Sequence, residues 1–316
     1  MKILSSLIDI QQDSNSIVTV GTFDGVHQAH QKILTEVVHR ARERKGRSVV
    51  VTFNPHPRTL VGKNAGAIRL LTTLEERIAL LQKFDIEVLL IVPFTYEFSR
   101  LTPRQFYKEY VVGGIGVAEV IEGYDHSFGR DREARIAELQ TIAREFGFGV
   151  RVIEPVTIDG DIVGSSKIRK HLEAGNVRKA NLLLGRIYSA DGIVVEGEGR
   201  GPLIGFPTAN ISIIGERKLI PARGVYVASM VMDGSEYPGM LNIGTRPTFT
   251  ETTEISVEIH LFNFSEEIYG RRVQIRFYDR IRDEKRFVSP ETLAQQLRLD
   301  AKMCKAYMKN KFHIGT

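Results

Sequence analysis

One cysteine, Cys304, among 316 residues leaves no partner for an internal disulfide and fits a reducing cytosol. Its plainest reading is a packed helix residue, not a reactive thiol. Long hydrophobic runs are also missing. The longest purely apolar stretch, 88–92 before Pro93, is far too short to cross a bilayer. The N-terminal stretch holds a lysine and a short apolar run broken by Asp9, which does not read as a signal peptide. A cytoplasmic protein without membrane attachment is expected. No Lys/Arg block is long enough for a polybasic arm, and the net charge of +5 is spread among interspersed acids. Nucleotides are therefore the expected anionic partners rather than DNA or RNA, and nothing marks an obligate protein partner. Internal repeats and low-complexity tracts are absent as well.

What is present is an ordinary globular composition, 42% hydrophobic and 26% charged, with length for two medium domains that each bury a core. Up to about residue 153, strand-like runs (17–22, 48–53, 88–92, 117–122, 150–153) alternate with helix-like runs (28–45, 74–84, 102–111, 131–146). This alternation predicts an α/β, Rossmann-like domain whose parallel sheet is covered on both faces, with ligands at the carboxyl ends of the strands. After Gly185 the strand-like runs 187–195, 224–232, 236–243, 253–262 and 272–281 are separated by Gly- and Pro-rich turns. They predict a small antiparallel β-barrel. A terminal helix opens at Ser289-Pro290-Glu291, with Ser289 as cap and Pro290 in the first turn, and runs to about Asn310. The domain boundary is expected after the short helical stretch 177–184, dividing the chain into 1–185 and 186–316.

Two runs carry phosphate chemistry. The first, Gly21-Thr22-Phe23-Asp24-Gly25-Val26-His27-Gln28-Ala29-His30, joins a buried strand to a helix. Gly25 permits a tight turn, and the helix N-terminus presents unpaired N–H groups and a positive dipole end to an anion. His27 and His30 are three apart, so within the first helical turn they share a face and can donate to a phosphate as charge develops. Zinc is disfavoured, because the spacing is not that of a metalloprotease and no cysteine is near. The second run is Gly197, Gly199, Gly201 and Gly205 followed by Phe206-Pro207-Thr208-Ala209-Asn210. It lacks the ending of a Walker loop and the βαβ setting of a dinucleotide fingerprint. On an extended segment Thr208 and Asn210 point to one face, and their oxygens suit Mg²⁺, with ATP phosphates filling other positions.

The first run resembles the paired-histidine signature of the nucleotidyltransferase superfamily. Thr52-Phe53-Asn54-Pro55-His56-Pro57, Gly123-Tyr124-Asp125-His126-Ser127-Phe128-Gly129 and Ser165-Ser166-Lys167-Ile168-Arg169 follow in the order of one branch. That branch is bacterial FAD synthetase, the bifunctional riboflavin kinase/FMN adenylyltransferase. GFPTANI resembles the PTAN signature of riboflavin kinase, and the likeness continues through 221–226, 242–249 and 257–260.

The resemblance implies an adenylyl-transfer site built from Gly21, Phe23, Gly25, His27, His30, Asn54, Asp125, Ser165, Ser166 and Arg169. It also implies a kinase site with Gly205, Thr208 and Asn210 at the nucleotide and metal, and Glu258 as catalytic base. Glu258 alternates with Val257 and Ile259 along a strand and so faces away from them. His260 shares its face and could orient it, or simply pack. The implied substrates and products are riboflavin, FMN, FAD and ATP, with Mg²⁺. Asn54 and Asp125 also have readings as turn or loop residues, and Arg169 as a solvated helix residue. Ala29 departs from the family, which usually has Gly between the histidines, and its methyl group would crowd a bound phosphate. Gly164 and Ser166 replace the more usual Ser and Thr, and Ser166 keeps a hydroxyl. Two alternatives remain at this point: a kinase whose first domain has lost transfer, and a non-enzymatic flavin-binding protein.

Overall fold

The computed structural model describes residues 1–61, 66–124, 132–197, 205–246 and 254–312, excepting the side chains at 132–135, 246, 254 and 310–312. The chain divides into two compact units, Met1–Ser165 and Ser166–Thr316. Among the described residues no helix is long and apolar enough to cross a membrane.

The first unit is a six-stranded parallel sheet with helices. In chain order it contains β1 (Lys2–Leu4), β2 (Ile17–Val20), α1 (Gln28–Glu43), β3 (Ser48–Asn54), α2 (Pro57–Leu60), α3 (Leu74–Leu81), β4 (Val88–Pro93) and α4 (Pro103–Phe106). Then follow β5 (Glu119–Gly123), α5 (Arg132–Phe146), β6 (Gly149–Ile153), the small hairpin β7 (Thr157–Ile158) and β8 (Asp161–Ile162), and the start of α6 (Ser165–Glu173). Strand order is β1-β4-β3-β2-β5-β6, and every pair is parallel. The chain winds outward from β2 through β3 to β4, then crosses to β5 on the other side. The carboxyl ends of β2 and β5 therefore flank the point where the winding reverses, which is where open α/β sheets bind ligands. Each residue of β2 is buried, as a central parallel strand covered on both faces requires. α1 buries His30, Ile33, Leu34, Val37, Val38 and Ala41, a three-and-four spacing that lays one stripe on the sheet. Truncating one of these aliphatic side chains to alanine is expected to cost about 2–5 kcal/mol.

Expected elements recur here with two differences. β1 is too short for a two-residue period to reveal it, and it joins the sheet only through β4. The helix expected at 102–111 is a single α-turn followed by a π-helical stretch, Tyr107–Ile115. Its buried residues Tyr107, Val111 and Ile115 are spaced by four, which keeps one face inward when the turn is wider than 3.6 residues.

The second unit continues α6 and adds α7 (Val177–Leu184) and the strands β9 (Tyr188–Val195), β10 (Ala209–Ile213), β11 (Gly224–Met232), β12 (Ser235–Arg246), β13 (Glu254–Leu261) and β14 (Arg272–Arg282). The helix α8 (Pro290–Phe312) follows. The strands close into a barrel in the order β10-β13-β12-β11-β14-β9. β10 adds a sixth strand to the five expected, because the Gly- and Pro-rich sequence before it read as loop. Barrel closure removes exposed sheet edges. Tyr188, Tyr226, Leu241, Ile243, Ile259, Ile275 and Phe277 are fully buried, and strand alternation places them on the barrel's inner side. Outward-facing Val225, Val227, Met240 and Tyr278 form a second cluster with Ala301, Cys304 and Met308 of α8. Ser289 caps α8 as expected: its hydroxyl accepts from the Thr292 N–H, and Thr292 hydroxyl donates to its carbonyl. Cys304 is fully buried, and burial pushes its thiol up to about 12, so it is packing and not a nucleophile.

Candidate active sites

In the first unit the turn between β2 and α1 has an unusual backbone. Phe23, Gly25 and Val26 all have positive φ, at 47°, 85° and 37°. For Val26 that conformation is sterically costly, on the order of 1–3 kcal/mol, and it persists only where its surroundings hold it. Asp24 supplies the hold. Its buried carboxylate accepts from the N–H groups of Leu71 and Thr72, at 3.1 and 2.9 Å, and from the Thr72 hydroxyl at 3.1 Å. The Thr72 hydroxyl in turn accepts from the Gly25 N–H. A side chain at Gly25 would place its Cβ 2.7 Å from Leu71, so the turn requires glycine for space as well as for φ.

His27 caps α1. Its Nδ1 accepts from the His30 N–H at 3.4 Å, which leaves the ring proton on Nε2 in the neutral form. The two imidazoles stack with centroids 3.6 Å apart, and Phe23 meets His30 edge-on at 5.1 Å. Both rings are buried. The three-residue spacing thus produces a true pair at the helix N-terminus. Ala29 sits between them, half-buried in the first turn of α1.

The other expected residues of this site are placed as follows. Gly21 is buried and donates to the Val51 carbonyl, tying the turn to β3. Asn54 is exposed at the carboxyl end of β3, beside β2. Ser165 does not point only to solvent: its hydroxyl donates to the Asp24 carbonyl at 2.9 Å, so it braces the turn. Ser166 and the buried Arg169 lie on α6. Asp125 falls outside the described residues. Asp24, Thr72 and Arg77, which hold the turn in shape, are not among the residues the sequence singles out: Asp24 lies within the run 21–30, whereas Arg77 lies in a helix whose pattern gives no sign of the contact.

In the second unit, cross-strand register assembles a polar row on the outer face of the barrel. Glu258 of β13 stands opposite Asn210 of β10 on one side and Asn242 of β12 on the other. Val257 and Ile259 are buried, and Glu258 between them is half-buried, as alternation requires. Asn210 is buried at the start of β10, and Thr208 precedes that strand. A Cβ on Gly197 would lie 1.9 Å from the Asn210 amide nitrogen and 3.1 Å from its oxygen. The Asn210 amide is therefore packed on the glycine, its nitrogen nearest. Two neutral oxygens, from Thr208 and Asn210, suit a hard cation whose remaining ligands are phosphate and water, so the residues fit Mg²⁺. Among the described residues no cluster of three or more His, Cys, Asp or Glu could hold a metal by itself. Gly205 has φ 78° and is exposed at the start of this segment.

His260 shares the outer face with Glu258 but is engaged elsewhere. Its Nδ1 lies 2.8 Å from the Pro207 carbonyl, and its ring meets Phe206 edge-on at 5.1 Å. Burial holds its pKa below the usual histidine range; the bond to Pro207 opposes that shift, and Lys305 adds to it. His260 thus fixes the segment that delivers Thr208 and Asn210, a role that sequence alternation alone did not reveal.

Known proteins match both units. The FAD synthetase family matches residues 9–167, and the riboflavin kinase family matches residues 184–308. A bifunctional riboflavin kinase/FMN adenylyltransferase of Bacillus subtilis is 34% identical over 304 residues, covering 95% of each chain. One from Escherichia coli K12 is 32% identical over 303 residues, covering 95% of this chain and 96% of its own. A crystal structure described as a macrolide-efflux protein from Streptococcus pneumoniae superposes with a TM-score of 0.85 at 31% identity, over 98% of this chain and 99% of that one.

Proposed function

The chain belongs to the bifunctional riboflavin kinase/FMN adenylyltransferase family, and from that premise we propose how its residues divide the two reactions. It phosphorylates riboflavin with ATP to FMN, then joins FMN to the adenylyl group of a second ATP, giving FAD and pyrophosphate. The kinase step belongs to the segment 186–316 and the adenylyl transfer to 1–185.

In the kinase step the attacking group is a neutral ribityl hydroxyl, so a base is useful. Glu258 takes that proton as the oxygen bonds to the γ-phosphorus and ADP departs. Thr208 and Asn210 would hold Mg²⁺, which supplies charge neutralisation of the ATP phosphates when bound. In the adenylyl step the attacking FMN phosphate is already an anion, so no protein base is needed. The task is alignment with the α-phosphorus and stabilisation of the leaving pyrophosphate. His27 and His30 donate to phosphate oxygens, assisted by the N-terminus of α1. Asn54, Asp125, Ser165, Ser166 and Arg169 complete the nucleotide side of this reading. A cytoplasmic setting belongs to it too, since its only thiol is a buried, unreactive one.

The observation that carries the kinase assignment is the register, which sets Glu258 between Asn210 and Asn242 on one face. Its test is Glu258→Gln, an isosteric change that keeps shape and loses basicity. FMN formation from riboflavin should fall roughly a hundredfold or more, while FAD formation from supplied FMN should continue unchanged. Near-normal FMN formation by the variant would sink the assignment.

A further inference from the structure

Arg77 is an odd residue to bury. It lies on α3, one turn after the cap at Thr73, and its side chain is 1% exposed. Burying a guanidinium costs several kcal/mol unless its charge and donors are met. Its Nη1 donates to the Thr22 carbonyl at 2.9 Å, the Thr52 hydroxyl at 3.2 Å and the Phe53 carbonyl at 3.2 Å. Its Nε has no hydrogen-bond partner among the described residues. Burial lowers its pKa, against the fields of Asp24 and Glu75, but arginine starts so high that the group stays charged at neutral pH.

The three acceptors belong to the two segments that matter most in this unit. Thr22 opens the turn leading to His27 and His30, and Thr52 and Phe53 end the strand that presents Asn54. The Thr52 hydroxyl also reaches the Thr22 carbonyl at 3.2 Å, so the two strand ends are already bridged without Arg77. A neutral amide could strengthen that bridge at a far smaller desolvation cost. What the guanidinium alone adds is a fixed positive charge. On the Thr22 and Phe53 carbonyls that charge lies directly beneath the turn leading to His27 and His30, where its field favours an anion.

We propose that Arg77 is a positioning residue for adenylyl transfer, a buried charge beneath the phosphate turn that selects for the polyphosphate of a nucleoside triphosphate. It acts through the Thr22 and Phe53 peptides and touches no substrate. The inference rests on reading the first unit as the adenylyl-transfer site.

The test is a set of inhibition constants measured against FAD formation from supplied FMN and ATP, so that only this site is read. The inhibitors are adenosine, AMP, ADP and a non-hydrolysable ATP analogue, applied to the parent, Arg77→Gln and Arg77→Lys. For Arg77→Gln, the constant for the ATP analogue should rise by roughly tenfold, that for ADP less, and that for adenosine by no more than about twofold. Arg77→Lys, which keeps the charge, should recover most of the loss. A packing defect would instead weaken all four inhibitors alike, and that outcome overturns the proposal, as does a lysine variant no better than the glutamine one. Riboflavin phosphorylation in the same preparations reports on the rest of the chain. If Arg77→Gln does not fold, Arg77→Met takes its place in the series, with a loss graded by phosphate number supporting the proposal and a loss equal for all four inhibitors overturning it. A parent that forms no FAD at all would remove the assignment of the unit, and this inference with it.

Discussion

At His260 the position of the ring proton follows from its neighbour. A carbonyl can only accept, so the nitrogen facing Pro207 donates and carries the proton of the neutral ring. Burial, against Phe206 and Phe262, favours the uncharged form; the bond to the Pro207 carbonyl opposes this, and Lys305 adds to it. Its folded pKa therefore lies below the unfolded value of about 6.5. The sign follows by linkage: the stabilisation is present above about pH 6.5 and is lost as pH falls through the folded pKa. Replacing His260 with glutamine removes the titration. The difference in melting temperature between parent and His260→Gln should be largest near neutrality and shrink in acid. A difference that grows as pH falls would contradict the assignment. At this scale the sequence was informative where a side chain's role depends on spacing. His27 and His30 stack as their three-residue interval requires, and Glu258 faces away from its apolar neighbours. It was silent where the role depends on a partner far along the chain, as with His260 and Pro207, or Arg77 and Thr22.

Among the elements, α8 shows how a helix is tied to a sheet by more than its apolar stripe. Arg282 at the end of β14 forks onto Asp300 of α8, with Nε at 3.2 and 3.0 Å from the two carboxylate oxygens and Nη2 at 2.7 Å. Asp300 is fully buried, and Gln296 one turn earlier donates to it at 2.8 Å. The site of this pair matters because α8 covers the outer barrel face on which Met240 stands opposite His260 and, two residues on, Asn242 stands opposite Glu258. Breaking a buried pair strands a charge, so Asp300→Asn should destabilise the barrel by about 3 kcal/mol or more. It should also lower kinase activity more than adenylyl transfer. The joint replacement Arg282→Met with Asp300→Leu should recover much of the stability, because no charge is then left unpaired. The measurement is the urea midpoint of riboflavin phosphorylation, since two units need not unfold in one transition. Equal midpoints for the parent and Asp300→Asn would refute the clamp. Elements with a clean period, α1 and β11 to β14, were legible in advance. The π-helical stretch was not, because its spacing of four imitates a helix over a single turn, and β10 was hidden behind a Gly- and Pro-rich lead-in.

For the whole molecule, the open matter is where one unit ends. The change in sequence pattern suggests 185/186, while the compact units meet at Ser165 and Ser166. The side chains show what the twenty or so residues between these limits contribute. Asn181 of α7 is buried; its amide donates to the Phe277 carbonyl at 2.8 Å and its oxygen accepts from the Tyr188 N–H at 2.6 Å. Val177, Ala180, Leu183 and Leu184 of the same helix are fully buried, and the Ala222 N–H donates to the Leu172 carbonyl of α6. α7 is therefore packed on and bonded to the barrel strands, and α6 is bonded through Ala222, although no strand pattern announces either. A chain beginning at residue 186 would leave the Tyr188 N–H and the Phe277 carbonyl without their partner. Each buried group stranded in this way costs about 1–3 kcal/mol. The lost apolar burial adds roughly 1.5–3 kcal/mol for each large side chain. That sum rivals the whole stability of a typical domain, about 5–15 kcal/mol. The expected outcome is that a fragment of residues 166–316 folds and phosphorylates riboflavin, whereas 186–316 melts far lower or does not fold. Thermal melts and FMN formation by the two fragments decide it. Equal melting and equal activity would show that α6 and α7 are a linker, and that the boundary read from the sequence pattern is the physical one.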